Sequence, residues 1–536
     1  MTNNSSNVTD DEDVLVAMTR PESTEGGRPS KAIDPNAKHL RTDHLLGDLK
    51  GRTISGAVVT IVAQAGQFVL NFGSIMILAR LLTPKDFGLF AMVTTVMAFL
   101  RVFKDAGLST ATIQREDITH AQVSNLFWIN VAMSGAIGLL LAAGSPAIAW
   151  FYREPRLVGI TLVLSSTFLL SGLAVQHTAL LTRQMRFKAT AVIQVGSMLV
   201  GTAIGVVMAW TNYGYWALVW GNFATVAASV VLTWIAIPWR PQAPIGRSGT
   251  RSLIGFGANL TTGGFLYSLA RGTDAMLIGR FYGADSVGLY TRAAALLNRP
   301  MEQALSPLHS VFVPVLSRIQ SQPERYRRTF LRVYEAMALV SCLSAGLLFA
   351  LARPLTLVVL GGKWEQASII FASLTIAAFI MPLGTASTWL FISQGRGRDW
   401  SVSSLLGSIT IVVSFVTGLP FGPVGVAIAY STIGLFIGMP LLYYLAGRVG
   451  PVSTVDLWKG IFRFLPLWIV VCGVAWLVRL LLLDSPPLLQ LLICAPIGLL
   501  AGATLICVVP AMRRVAFSLV DILRELKSRT SFFNAK

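Results

Sequence analysis

Apolar runs of about twenty residues recur along the chain, and a run of that length spans a bilayer as a helix. Fourteen are legible, at about 54–80, 87–108, 122–149, 157–178, 188–210, 215–237, 252–280, 286–314, 329–350, 366–391, 401–421, 424–447, 461–483 and 488–510. Short breakers part them, among them "TPKD" at 83, "REP" at 153, "NYG" at 212, "GAD" at 283 and "DSPP" at 484. Thr83-Pro84-Lys85-Asp86 reads as a helix start, with Thr83 as cap, Pro84 in the first turn and Asp86 reaching back. The pattern predicts an all-α polytopic membrane protein of about fourteen transmembrane helices.

The pattern also repeats. "ILARLLTPKDFGLF" (77–90) returns as "LIGRFYGADSVGLY" (277–290), with Arg80 over Arg280, Gly88 over Gly288 and Leu89 over Leu289. "YGYWALV" from Tyr213 returns as "FGPVGVA" from Phe421. Each echo joins spans six apart, an even number, so the two copies share one orientation. The chain therefore reads as two six-helix lobes of parallel topology, 54–237 and 252–447, joined by a loop at 238–251. Residues 448–510 hold two added C-terminal helices. Parallel repeats place a substrate cavity at the lobe interface and transport by rocking one lobe against the other.

Charge sets the orientation. Only 13% of the 536 residues are charged and 54% are hydrophobic, where a soluble domain carries roughly a quarter as charges. Residues 1–53 hold nine acids and seven bases, so the net charge of +18 sits entirely in the apolar remainder. A nucleic-acid binder would gather that charge on a polar domain; here it is spread through short loops. Arg183, Arg186 and Lys188, then Arg318, Arg325, Arg327, Arg328 and Arg332, then Arg396 and Arg398 all fall on one side. By the positive-inside rule both termini are cytoplasmic. Residues 1–53 read as a disordered tail and 511–536 as a basic cytoplasmic one. The four cysteines lie inside apolar runs and build neither a disulfide framework nor a metal site. No cofactor is implied.

Charges deep in a bilayer are costly and face a bundle interior or a water-filled path. The eighth span carries Arg292, Arg299, Glu302, Gln303, Ser306 and His309, spaced mostly by three, four or seven and so on one helical face. At 1.5 Å per residue, Arg292 lies about 9 Å and Arg299 about 20 Å below the outer end. The seventh span adds Arg271 and Asp274, three apart and able to pair, with Asn259 and Thr262. The second adds Arg101, Lys104 and Asp105, and the first a polar stripe of Gln64, Gln67, Asn71 and Ser74. Snorkelling would equally explain Arg101 and Lys104, a salt bridge Arg271 and Asp274, and helix anchoring Arg80 and Arg280. His177 and His309 read as ordinary polar contacts. GxxxG runs at Gly201–Gly205, Gly434–Gly438 and Gly498–Gly502 read as helix packing within the fold. Five cations against three acids leave the candidate cavity positive, and arginine suits phosphate oxygens. An anionic cargo follows.

Several stretches carry a family resemblance: "GLFAMVTTVMAFLRVFKDAGLSTATIQREDIT", "FYREP", "YSLARGTDAMLIGRFYGADSVGLY", "FVPVLSRIQ" and "GKWEQA". Over roughly Gly51 to Gly450 the chain resembles the polysaccharide transporter branch of the multidrug/oligosaccharidyl-lipid/polysaccharide exporter superfamily, which holds the Wzx-type flippases of bacterial inner membranes. The resemblance implies that an undecaprenyl-pyrophosphate-linked oligosaccharide moves from the cytoplasmic to the periplasmic leaflet by alternating access. Membrane lipids, polysaccharide polymerase and export machinery are the expected partners. It also implies a site role for Arg271 and Asp274, which match the family's Arg-x-x-Asp in the seventh helix; Arg292, Arg299 and Glu302 rest on the residue argument alone. The alternatives are a multidrug (organic-cation) antiporter, which would want an acid-dominated cavity, and a lipid II flippase. An enzyme finds no nucleophile–base pair or metal-ligand cluster here.

Overall fold

The computed structural model describes residues 49–105, 108–115, 118–244 and 251–518, and among them there is no strand. The first half comprises α1 (Leu49–Leu81), α2 (Pro84–Asp105), the short α3 (Leu108–Gln114), α4 (His120–Ala143), the short α5 (Ser145–Tyr152), α6 (Leu157–Arg183), α7 (Phe187–Trp210) and α8 (Trp216–Ala236). The second half opens on α9 (Arg251–Arg318), two helices joined at Gly283. It continues through α10 (Pro323–Ala350), the short α11 (Ala352–Leu360), α12 (Glu365–Ser393), α13 (Gly397–Gly418), α14 (Gly422–Ile433) and α15 (Met439–Gly447). A short α16 (Thr454–Phe462) precedes α17 (Leu465–Leu481) and α18 (Pro487–Val508). Gly346 of α10 lies against the backbone of α17, and Gly498 of α18 against Leu347 and Ala475, so the last two helices dock on α10.

Ten stretches among the described residues are long and apolar enough to cross a membrane, and Gly397–Gly447 holds two spans, α13 and the continuous α14–α15, parted at Gly422 (φ 76°). The other expected spans, α2 and the two arms of α9, carry Arg101, Lys104, Asp105, Arg271, Asp274, Arg292, Arg299 and Glu302, and the side chains of 251–269 lie outside those described. The first helix starts at Leu49, inside the stretch expected as a tail. The rest of that tail, most of the 238–251 loop and the chain beyond 518 lie outside the described residues.

The duplication has a packing reason. A Cβ on Gly88 would stand 1.6 Å from the Ala284 carbonyl oxygen, and one on Gly288 1.8 Å from that of Pro84. Ala284 occupies in the second copy the place of Pro84 in the first. Each glycine therefore touches the counterpart of what its twin touches, the reciprocal contact of a two-fold interface. The surroundings follow suit. Arg80 donates to the Val358 carbonyl (2.9 Å) and Trp364 to that of Ala79 (2.8 Å). On the other side Arg280 lies 5.8 Å from the Phe151 ring centroid, and Gly279 abuts the Tyr152 ring. The Thr83 start forms as expected: Asp86 accepts from the Thr83 backbone N–H (2.9 Å) and hydroxyl (2.6 Å). This end of the bundle, called the Arg80 end below, is shut backbone to backbone.

Further matched features escape a sequence reading. Arg153 and Gly361 end the two short helices α5 and α11 with positive φ (58° and 98°). Met185 and Gly395 do so at the turns before α7 and α13 (52° and 68°), and Gly214 and Gly422 before α8 and α14 (55° and 76°). The residue after the second pair is arginine in both halves. Arg186 donates to the Ala236 carbonyl (2.9 Å), and Arg396 to those of Leu445, Ala446 and Val449 (2.7–2.9 Å). Each caps the C-terminal end of its half's last helix, where the macrodipole favours a cation. Asp399 accepts hydrogen bonds from Arg396 (2.9 Å) and Arg448 (2.5 Å) beside that cap. All three GxxxG runs meet neighbours of the same chain, Gly201 against Thr225 and Gly221, Gly434 against Ile380 and Gly502 against Leu343 and Val471.

Candidate functional site

Gly283 (φ 79°, ψ −176°) turns the two arms of α9 back on each other at the Arg80 end. The second arm then descends beside α1 and lines a narrow cleft of about 30 Å³, with Phe68, Asn71, Arg292, Arg299, Pro300 and Gln303 on its walls. The cleft thus lies between the first and second halves of the chain, and both mid-span arginines reach it. Arg292 lays its guanidinium 4.9 Å from the centroid of the Phe87 ring. Its Nε is buried and has no hydrogen-bond partner among the described residues. Arg299 is exposed and forms no ion pair among the described residues. A guanidinium without a carboxylate partner has the charge and the donor geometry to pair with an anion.

The expected pairing of Arg271 with Asp274 resolves differently. The ion pair recorded for Arg271 crosses to Glu302 of the other arm of α9 at 3.6 Å. Asp274 accepts from the Ala275 backbone N–H at 2.7 Å, a contact within its own arm. Glu302 therefore answers Arg271 rather than Arg299 three residues before it, because the antiparallel arm offers a closer approach than the helix's own next turn. Of the polar stripe on α1, Asn71 reaches the cleft. Gln67 turns to Gln194 of α7 at 2.8 Å, inside the first half, and Gln64 is exposed. Arg101 is exposed, and the side chains of Lys104, Asp105, Asn259, Thr262 and Ser306 lie outside those described.

His177 stacks on Trp234 (4.3 Å) with Nε2 3.2 Å from the Trp239 carbonyl, the ordinary buried contact expected of it. The aromatic members of the site, Phe68, Phe72 and Phe87, give no sequence signal, since an apolar residue in an apolar run does not announce a ring aimed at a cation.

The model of a family described as polysaccharide biosynthesis protein matches residues 77–369, more than half of the chain. The chain belongs to that family. Its match runs from the first helix end at Arg80 through the cleft arginines to α12. Among curated relatives, the chain is 26% identical over 411 residues to the teichuronic acid biosynthesis protein TuaB of Bacillus subtilis (strain 168), covering 75% of this chain and 83% of that one. It is 24% identical to the succinoglycan biosynthesis transport protein ExoT of Rhizobium meliloti (strain 1021), over 63% and 68%. It is 22% identical to the lipopolysaccharide biosynthesis protein WzxC of Escherichia coli (strain K12), over 79% and 87%. Among solved structures the lipid II flippase MurJ in an inward closed conformation matches with TM-score 0.66 at 13% identity, covering 83% of this chain and 99% of that one. An inward-facing multidrug transporter of the MATE family matches with TM-score 0.57 at 13% identity, over 76% and 98%. These identities speak for the fold alone. The resemblance seen in the sequence is borne out, and the protein is a multi-pass helical membrane protein of this transporter fold.

Proposed function

We propose that the protein is a flippase that carries a lipid-linked oligosaccharide unit across the membrane for polysaccharide biosynthesis, holding it by the pyrophosphate of an undecaprenyl carrier. The single observation that carries the reading is the pair Arg292 and Arg299, two cations without a carboxylate partner among the described residues, in a cleft between the halves of the chain. The names of TuaB, ExoT and WzxC support the substrate class. An organic cation would meet repulsion there. In this reading 54–237 and 252–447 act as two lobes, the membrane is the bacterial inner membrane, and the Arg80 end is periplasmic. The shut Arg80 end then makes the described conformation one closed to the periplasm. The work is transport rather than catalysis.

Loss of the protein tests the cargo. Deletion is expected to abolish a surface or secreted polysaccharide and to leave lipid-linked units on the cytoplasmic leaflet, read by extraction and mass spectrometry. Intact polysaccharide with altered drug sensitivity would point to an antiporter, and failure to grow to a lipid II flippase. Reporter fusions test orientation. Those after Phe151 and Tyr213 should report periplasm, and those after Lys188 and Arg325 cytoplasm. A periplasmic signal at Arg325 would break the two-lobe arrangement, because that turn separates α9 from α10.

A further inference from the structure

Phe87 is held by the second half of the chain on two sides. The Arg292 guanidinium covers its face at 4.9 Å, and the Trp364 ring meets it edge-on at 5.3 Å. Trp364 in turn donates its Nε1–H to the Ala79 carbonyl of the first half. The ring is 2% exposed and sits one residue before Gly88, at the close crossing that shuts the Arg80 end. Arg292 therefore belongs to two structures at once: it lines the cleft and it grips the residue beside the closure.

We propose that Phe87 is a positioning residue through which an anion in the cleft releases the Arg80 end, a step that rests on the cargo reading above. An unmade hydrogen bond on a buried charged group is unfavourable, and Arg292 has one at Nε. A pyrophosphate supplies both that bond and the counter-charge. A guanidinium paired with an anion presents less positive charge to an aromatic face and turns its plane toward the phosphate. Phe87 then keeps only the Trp364 contact to the second half. An empty cleft holds the end shut, and a loaded one loosens it. By linkage the open state binds pyrophosphate more tightly by the same factor by which pyrophosphate favours opening.

The test uses the full chain in neutral-lipid nanodiscs, with the four native cysteines replaced and spin labels at Leu81→Cys and Phe281→Cys. Both positions are exposed at the Arg80 end. Inorganic pyrophosphate should raise the population with a long label-to-label distance by about two- to thirtyfold, the range a desolvated cation–ring contact allows. Stepwise ring fluorination at position 87 keeps the volume and drains the negative face. It should raise the anion-free long-distance population in steps and shrink the pyrophosphate increment to match. A ring that only fills space would leave both unchanged, and that result overturns the proposal. So does pyrophosphate that binds, by calorimetry, without moving the distance, though the cargo reading then stands. Pyrophosphate that binds no more tightly than to Arg292→Gln overturns both.

Discussion

Gly88→Ala and Gly288→Ala should each stop the Arg80 end from closing. The new methyl group would fall 1.6 or 1.8 Å from a backbone carbonyl of the other half, and no rotamer change can move a backbone oxygen. Overpacking of this kind costs about 1–3 kcal/mol. Here the molecule can escape that cost by parting its halves, so the closed state loses roughly five- to 150-fold in population. Polysaccharide output in a deletion strain should fall for both variants. A cysteine placed at Ala295, on the cleft wall, should become reactive to an impermeant thiol reagent from the periplasmic side, whereas in the parent it is shielded. Gly66→Ala and Gly73→Ala are the controls. A Cβ there meets nothing within 4 Å, so they should transport normally and gain up to about 1 kcal/mol of helix propensity. Folded Gly88→Ala protein with a shielded Ala295→Cys would show that the glycine crossing is not what closes this end.

That prediction was half legible in the sequence. The echo of 77–90 at 277–290 announced a duplication, and Thr83 with Asp86 announced a helix start, because both signals are local. What Gly88 and Gly288 are for was not legible, since a glycine in an apolar run fits any close approach. The paired turns at Met185 and Gly395 were hidden for the opposite reason: one half meets positive φ with glycine and the other bears it on a methionine. Their arginines looked like topology signals alone, yet Arg186 and Arg396 also cap the last helix of each half. The period of the polar stripes is visible in the sequence, but their partners on other helices are not. Glu302 lies only three residues from Arg299 along one helix, yet the fold of α9 brings Arg271 to it from the other arm. Gln67 sits on the same stripe as Asn71 but meets Gln194, 127 residues away, which no local rule anticipates.

The exchange of partners sharpens what Arg299 should do. If Glu302 were its counter-ion, Arg299→Ala would leave a carboxylate stranded in the membrane and lower expression. Glu302 has Arg271 within 3.6 Å, and its side chain is 53% exposed, so losing Arg299 should leave folding intact. Arg299→Ala is therefore expected to insert and purify normally. It should bind pyrophosphate about ten- to 150-fold more weakly, the worth of a charge-assisted hydrogen bond at about 1.5–3 kcal/mol, and fail to restore polysaccharide. Arg299→Lys should recover part of the affinity, since it keeps the charge and loses the planar fork. Arg271→Ala should behave the other way: lower yield, because it leaves Glu302 without its partner, with Glu302→Gln added to it restoring the yield. The exposure of Glu302 keeps that stability effect small, within about 1 kcal/mol. Should Arg299→Ala express poorly and recover with Glu302→Gln while Arg271→Ala does not, the two arginines have exchanged roles. The cleft would then keep Arg292 alone for its anion.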